Sequence, residues 1–293
     1  MIEEYPAGVT ASKPALPGLD ERYLTVKGVS VRYFAGGSGG PPVVLVHGLG
    51  GAAVNWSAVA PALAERHTVI VPDLPGHGGS AGVPALPNLA PFAEIVHEVA
   101  AHEQALPAVV AGHSLGAVVA VRHAVRYADH TLGIVLAGAA GISSSTRSAE
   151  VLLAFTALVQ PGRRLAPYRR RIARKAWLRT AVFGGWGATD PAALEPRLAE
   201  ALLADVPLHT DVGSASATLV RDPVTPQLAR VCCPALVVWG SGDAQVPVDD
   251  AYTYARDLGA ELRVIGDCGH LLVAERGDAC VDAIESLCAR VSL

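Results

Sequence analysis

A serine bracketed by glycines, Gly112-His113-Ser114-Leu115-Gly116, lies between the apolar run Ala108-Val109-Val110-Ala111 and a helical stretch that begins at Leu115. At a strand-to-helix corner a serine stands clear of the sheet, and only small residues on either side fit so sharp a turn. Its hydroxyl is a poor nucleophile until a base takes the proton, and that base must be held in one tautomer by a third group. The corner therefore calls for a histidine and a carboxylate. Asp243, in Trp239-Gly240-Ser241-Gly242-Asp243, and His270, in Gly269-His270, each follow a strand-like run, and the order Ser114, Asp243, His270 suits an open α/β sheet. A tetrahedral intermediate also needs donors for its oxyanion. Leu115 N–H, next to the nucleophile, and Leu49 N–H, in the loop His47-Gly48-Leu49-Gly50-Gly51, are the candidates.

The elements that must position these residues show in the apolar patterning. Runs at Val43–Val46, Val69–Val71, Ala108–Ala111, Ile134–Leu136 and Leu236–Trp239 have the length of buried strands, and Glu261–Ile265 adds another. Helical patterns at Val54–Glu65, Leu89–Ala105, Leu115–Tyr127, Val248–Leu258 and Val273–Ala289 separate most of them, which predicts a parallel sheet covered on both faces. Tyr23–Lys27 and Val29–Phe34 read as an antiparallel hairpin at one edge. The alternation lapses over residues 141–226, where the pattern is helical and cationic. Turn-forming segments, Gly141-Ile142-Ser143-Ser144-Ser145 and Asp222-Pro223-Val224-Thr225-Pro226, bound the lapse. It reads as an insertion into a core made of residues 1–140 and 227–293.

Together these motifs resemble the α/β-hydrolase superfamily, in its capped branch with a serine nucleophile. The likeness runs from Tyr23 to Cys288 through His47-Gly48 with Trp56 following, Asp73-Leu74-Pro75-Gly76-His77-Gly78-Gly79-Ser80, the serine corner, Trp239 to Asp243 and Gly269-His270. It implies a mostly parallel eight-stranded sheet with helices on both faces and a helical cap, residues 141–226, over the site. It also implies hydrolysis of a carboxylic ester or related acyl compound through an acyl-enzyme on Ser114, with no cofactor and no metal. Relatives with the same three residues cleave carbon-carbon bonds or act as menaquinone-pathway-type lyases on carboxylated substrates, and others are non-catalytic receptors; these alternatives stay open. Serine at position 114 disfavours the epoxide hydrolases and dehalogenases, which use a carboxylate nucleophile. Glu275-Arg276-Gly277 departs from the Glu-x-Pro of relatives and is expected to leave the three residues untouched.

Bulk properties narrow the class. With 293 residues, 51% of them hydrophobic, the chain can bury a large core, and a net charge of −4 gives no reason to expect a nucleic-acid partner. No basic n-region or apolar h-region opens the chain and no apolar stretch has the length of a membrane span, so a soluble cytoplasmic protein acting on a small molecule is expected. Five cysteines without C-x-x-C spacing describe neither a disulfide framework nor a zinc site, and nothing equips Cys268 as a nucleophile. His97 and His102 sit five apart on a helical pattern, off a common face, and imply no metal. His47, Asp73, His77 and His113 read as residues that organise loops. Within the insertion, nine Lys or Arg between Arg147 and Arg179 face the single acid Glu150. Arg170, Arg171, Arg174 and Lys175 share one helical face, with Ile172, Ala173, Ala176 and Trp177 on another. This is either a solvated face or an attractor for an anionic substrate or a membrane surface. Trp177, Phe183 and Trp186, beside Gly184-Gly185, are the candidate substrate-binding residues, with Phe155 a further apolar candidate.

Overall fold

Five continuous apolar runs require burial on both faces, and the computed structural model, which describes residues 16–83, 86–143, 161–184 and 187–292, lays them side by side in one sheet. The strands are β1 (Leu19–Val26), β2 (Val29–Gly36), β3 (Gly40–Val46), β4 (His67–Pro72), β5 (Ala108–His113), β6 (Thr131–Ala137), β7 (Ala235–Gly240) and β8 (Glu261–Ile265). Their spatial order is β1-β2-β4-β3-β5-β6-β7-β8. Only the β1/β2 and β2/β4 pairs are antiparallel; every other pair is parallel. The edge hairpin closes through Lys27 and Gly28, both at positive φ, the twist that a two-residue turn between right-twisted strands requires.

Period-two alternation decides which side chains go to which layer. Val44, Val46, Val110, Ile134, Leu136, Val237 and Trp239 join one buried cluster, and Val43, Leu45, Val109, Val135, Leu236 and Val238 join the other. Helices α2 (Ala90–His102), α3 (Leu115–Arg126) and α10 (Val248–Leu258) cover the first face; α1 (Ala60–Leu63) and α12 (Gly277–Val291) cover the second. Two expected helices are interrupted. Val54–Glu65 divides into a 3-10 turn, Ala53–Trp56, and the short α1, because Pro61 lacks the N–H that a continuous helix would use. Val273–Ala289 divides into α11 (Leu272–Glu275) and α12, with Arg276 at φ −137°, and the break brings Gly277 so close to Ala58 that a β-carbon there would lie 2.7 Å from the alanine methyl.

Among the described residues, the chain between β6 and β7 forms only helices: α4 (Pro161–Leu165), α5 (Arg169–Arg174), α6 (Ala176–Phe183), α7 (Pro196–Ala204), α8 (Val212–Arg221) and α9 (Thr225–Leu228), with short 3-10 turns. Ile172, Ala173, Phe183, Leu194, Ala199 and Leu203 make a third cluster, completed by Ala274 of α11, whereas Ala215, Leu219, Val224 and Leu228 pack into the first core cluster. The single helical face expected through Arg170–Trp177 is not continuous, since Lys175 is extended (φ −116°, ψ 113°) and reorients the chain. Ile172 and Ala173 are buried as expected; Ala176 and Trp177 are exposed. Among the described residues no helix is long and apolar enough to cross a membrane.

Buried histidines make the stability of this fold pH-dependent. Burial holds His47, His77, His113 and His123 down at about 3, against an ordinary 6.5. Between those two values the unfolded chain binds more protons than the native one, so stability falls as the pH drops. The limiting slope is about 1.4 kcal/mol per pH unit for each such histidine. Urea midpoints are expected to be flat near neutrality and to decline steeply below about pH 6.5; a midpoint constant down to pH 4.5 would contradict these burial states.

Candidate active site

Ser114 is the single residue between β5 and α3, held at φ 54° and ψ −116°. A non-glycine residue there costs roughly 1–3 kcal/mol, so its surroundings must hold it. Ser114 N–H donates to Ala137 O at 2.9 Å, and its carbonyl accepts from Ala117 N–H at 3.0 Å and Ala140 N–H at 3.3 Å. The flanking glycines allow backbone-on-backbone contact: a β-carbon on Gly112 would lie 2.1 Å from Gly116 O, and one on Gly116 would lie 2.2 Å from Val46 O.

Asp243 follows β7 and His270 follows β8. His270 Nδ1–H donates to Asp243 Oδ2 at 2.8 Å, with both side chains buried. The other carboxylate oxygen accepts the N–H groups of Gln245 and Val246 at 2.8 and 2.9 Å, so the loop fixes the carboxylate and the carboxylate fixes the ring. This leaves Nε2 of His270 as the free lone pair. Gly240, with no room for a β-carbon (2.3 Å from Cys268 O), lets the His270 loop close onto the end of β7. His113 Nε2–H donates to His270 O at 2.8 Å, and burial keeps His113 neutral, so it anchors His270 without carrying charge beside it.

The loop after β3 is held as tightly. His47 donates from Nδ1 to Gly48 O at 2.7 Å and accepts Leu74 N–H on Nε2 at 2.9 Å. Gly51 N–H also donates to Gly48 O, at 3.1 Å. A trans peptide points its N–H opposite to its C=O, so fixing the Gly48 carbonyl aims Leu49 N–H the other way. Gly48 borders Ser114, since a β-carbon on it would lie 3.1 Å from Ser114 Cβ. Among the described residues neither Leu49 N–H nor Leu115 N–H has an acceptor. Asp73 ties the loop to β4 and β2, accepting Ala53 N–H at 2.7 Å on one oxygen, and Arg32 Nε at 2.5 Å and Gly79 N–H at 2.8 Å on the other.

The inserted segment reaches this centre through residues that spacing did not single out. Arg32 also pairs with Asp205, and all three members of the Asp73–Arg32–Asp205 chain are buried. His209 donates from Nε2 to Gly50 O and accepts Gly78 N–H on Nδ1, each at 2.9 Å. Thr210 and Asp211 N–H both donate to Gly76 O. On the opposite side, Leu271 N–H donates to Gly187 O, and Glu275 accepts Thr189 N–H at 2.8 Å and Gly269 N–H at 3.1 Å. Of the candidate substrate residues, Phe183 is buried in the third cluster and Trp177 is 66% exposed on the insertion's exterior. Trp186 and Phe155 lie outside the described residues. Arg170, Arg171, Arg174 and Lys175 are exposed, Arg170 beside Glu200 at 3.4 Å.

A family model described as the alpha/beta hydrolase family matches residues 43–283. The chain is 31% identical, over 86% of its length, to the dihydrolipoyllysine-residue acetyltransferase component of an acetoin cleaving system from Pseudomonas putida, but spans only 65% of that protein. It is 30% identical to a pimeloyl-acyl-carrier-protein methyl ester esterase from Aromatoleum aromaticum, covering 84% of this chain and 98% of the relative. Among solved structures, the enol-lactonase from Burkholderia xenovorans LB400 superposes with a TM-score of 0.74 at 24% identity, over 92% of this chain and all of that one.

The glycine contacts predict a ranking. Gly116→Ala places a methyl against backbone that cannot turn aside, whereas at Gly50 (φ +69°) the space is open and only the left-handed backbone is strained. In urea unfolding Gly50→Ala is expected to cost about 1–2 kcal/mol, and Gly116→Ala more than that. Equal losses would contradict the close approach of α3 to β3.

Proposed function

Because the chain belongs to the alpha/beta hydrolase family, we propose that it is a serine hydrolase that cleaves a carboxylic ester or related acyl substrate through an acyl-enzyme on Ser114. The observation that carries this reading is the orientation of His270: Nδ1–H is committed to Asp243, so Nε2 is the atom left to accept a proton. Ser114 Oγ attacks the acyl carbon and its proton passes to His270 Nε2. The carbonyl π electrons move to oxygen, where Leu49 N–H and Leu115 N–H receive the negative charge. Collapse breaks the bond to the leaving group, which takes the proton from His270. Water, deprotonated by the same nitrogen, then attacks the acyl-enzyme and releases the carboxylic acid and free Ser114. The steps need no cofactor.

Support for an ester bond comes from the Aromatoleum aromaticum relative, which this chain spans almost end to end and whose name is that of a methyl ester esterase. We read residues 141–226 as the cap over this centre, with Phe183 as part of its interior and Trp177 at its outer surface. The exposure of Arg171, Arg174 and Lys175 supports a solvated face rather than a substrate contact.

Ser114→Ala is expected to reduce hydrolysis of an aryl ester by about 10⁵-fold or more with an unchanged unfolding midpoint, and a fluorophosphonate probe should label the native protein at Ser114 only. Turnover that survives the substitution would sink the acyl-enzyme, and a folded protein that resists labelling would favour a receptor. For the cap, the ratio of kcat/KM for a carboxylated ester to that for its neutral analogue should shift by less than about twofold from low to high ionic strength; a steep fall would instead assign the cations to substrate capture.

A further inference from the structure

Among the described residues of the segment between β6 and β7, His209 is the side chain that hydrogen-bonds the loop carrying Leu49, and it is poised differently from an ordinary structural histidine. His209 belongs to the segment between α7 and α8, yet both of its ring nitrogens are spent on core backbone on either side of the site. Nε2–H donates to Gly50 O and Nδ1 accepts Gly78 N–H, each at 2.9 Å. Only a neutral imidazole protonated on Nε2 can make both bonds, and burial holds His209 below the usual imidazole range. Its ring leans on His77, with centroids 5.6 Å apart, and His77 in turn leans on His47 at 5.2 Å. The backbone around it is pinned too: Thr210 and Asp211 N–H groups bond Gly76 O, and Asp205 is buried against Arg32.

The consequence lies in how the oxyanion loop is fixed. The peptide between Gly48 and Leu49 is set by His47 and Gly51 on its carbonyl. Leu49 is followed by Gly50, at positive φ (+69°), where a β-carbon would meet no neighbour within 4 Å. Gly50 O, which His209 holds, belongs to the same peptide as Gly51 N–H, the donor to Gly48 O. His209 thus steadies the peptide whose N–H fixes the carbonyl that aims Leu49 N–H. Resting on the assignment of Leu49 N–H to the oxyanion, we propose that His209 is a positioning residue for the oxyanion hole, so that the inserted segment completes the catalytic geometry instead of merely covering it. His209 touches no reacting atom; it acts through the Gly50 peptide.

Three variants separate this role from a general anchoring one. Gln can carry an amide N–H to the position of Nε2 and keep the Gly50 bond; Asn can place its oxygen near Nδ1 and keep only the Gly78 bond; Ala keeps neither. His209→Ala and His209→Asn are expected to lower kcat by about 10- to 100-fold, short of the loss for deleting an oxyanion donor, with KM within about twofold. His209→Gln should recover most of the rate. A trifluoromethyl ketone, whose serine adduct carries the oxyanion, should lose affinity by the same factor as kcat/KM. Hydrogen exchange in residues 47–53 should quicken in His209→Asn and not in His209→Gln. If His209→Ala does not fold, the Asn and Gln variants carry the comparison. A Gln variant no better than Asn, a loss confined to KM, or a wild-type kcat in His209→Asn would overturn the proposal. Those outcomes with an inactive Ser114→Ala variant reject His209 alone; an active Ser114→Ala variant rejects the acyl-enzyme reading itself.

Discussion

Everything at the site depends on one close approach, the passage of α3 over β3 immediately after Ser114. With glycine at both 112 and 116, the first turn of the helix rests on the carbonyls of Val46 and His47, and the corner residue is forced to positive φ. That geometry lifts Ser114 out of the sheet and leaves Leu115 N–H at the helix start without an intrahelical partner. The same contact brings the end of β3, and so the His47–Gly51 loop, against Ser114. Parallel strands then deliver Asp243 and His270 to the same end of the sheet, because the connections after β7 and β8 leave from their carboxyl ends.

Around this corner the charges are sorted. His47, His77, His113 and His209 are all held below the usual imidazole range by burial, and each uses ring nitrogens on backbone groups. Of the histidines near Ser114, His270 is the one bonded to a carboxylate, which stabilises an imidazolium when it forms. The buried Asp73 does different work: its partner is Arg32, and its remaining capacity goes to two backbone N–H groups that shape the neighbouring loops. Removing one member of such a buried set leaves a charge without compensation, which is far more costly than the net worth of the pair.

The parts of this arrangement written in local pattern were legible in the sequence. Apolar runs located the strands, the hairpin lay where Lys27-Gly28 turns, and the glycine-flanked serine marked its corner because glycine is demanded there by contact with backbone. Chain breaks were less visible: Pro61, Arg276 and Lys175 each interrupt a helix whose apolar period continues past them. Pattern failed for His209 and Asp205, whose partners Gly50 and Arg32 lie 159 and 173 positions away, so no periodicity records them; Glu275 stood out as a motif position but not for its bonds to Thr189 and Gly269. The serine, aspartate and histidine are themselves far apart in sequence, but their motifs carry glycines that betray sharp turns, whereas His209 sits in an unremarkable Pro-Leu-His-Thr.

The way the insertion is fastened bears on how specificity and chemistry are divided. It meets the centre on two sides, at Gly187–Thr189 against the His270 loop and at Asp205–Asp211 against the loops after β3 and β4. Apart from the side chains of His209, Asp205, Glu275 and Thr210, whose hydroxyl donates to Ser80 O, these contacts are made by backbone: Gly187 O, Thr189 N–H, Thr210 N–H and Asp211 N–H. Backbone contacts tolerate side-chain change, and the intervening α7 carries its apolar face into a cluster that is largely the insertion's own. Side chains along this segment can therefore vary while its two fastenings, and the loops they hold, keep their positions. On the proposed acyl-enzyme reading, that separation leaves the choice of substrate to the variable residues rather than to the Ser114 corner.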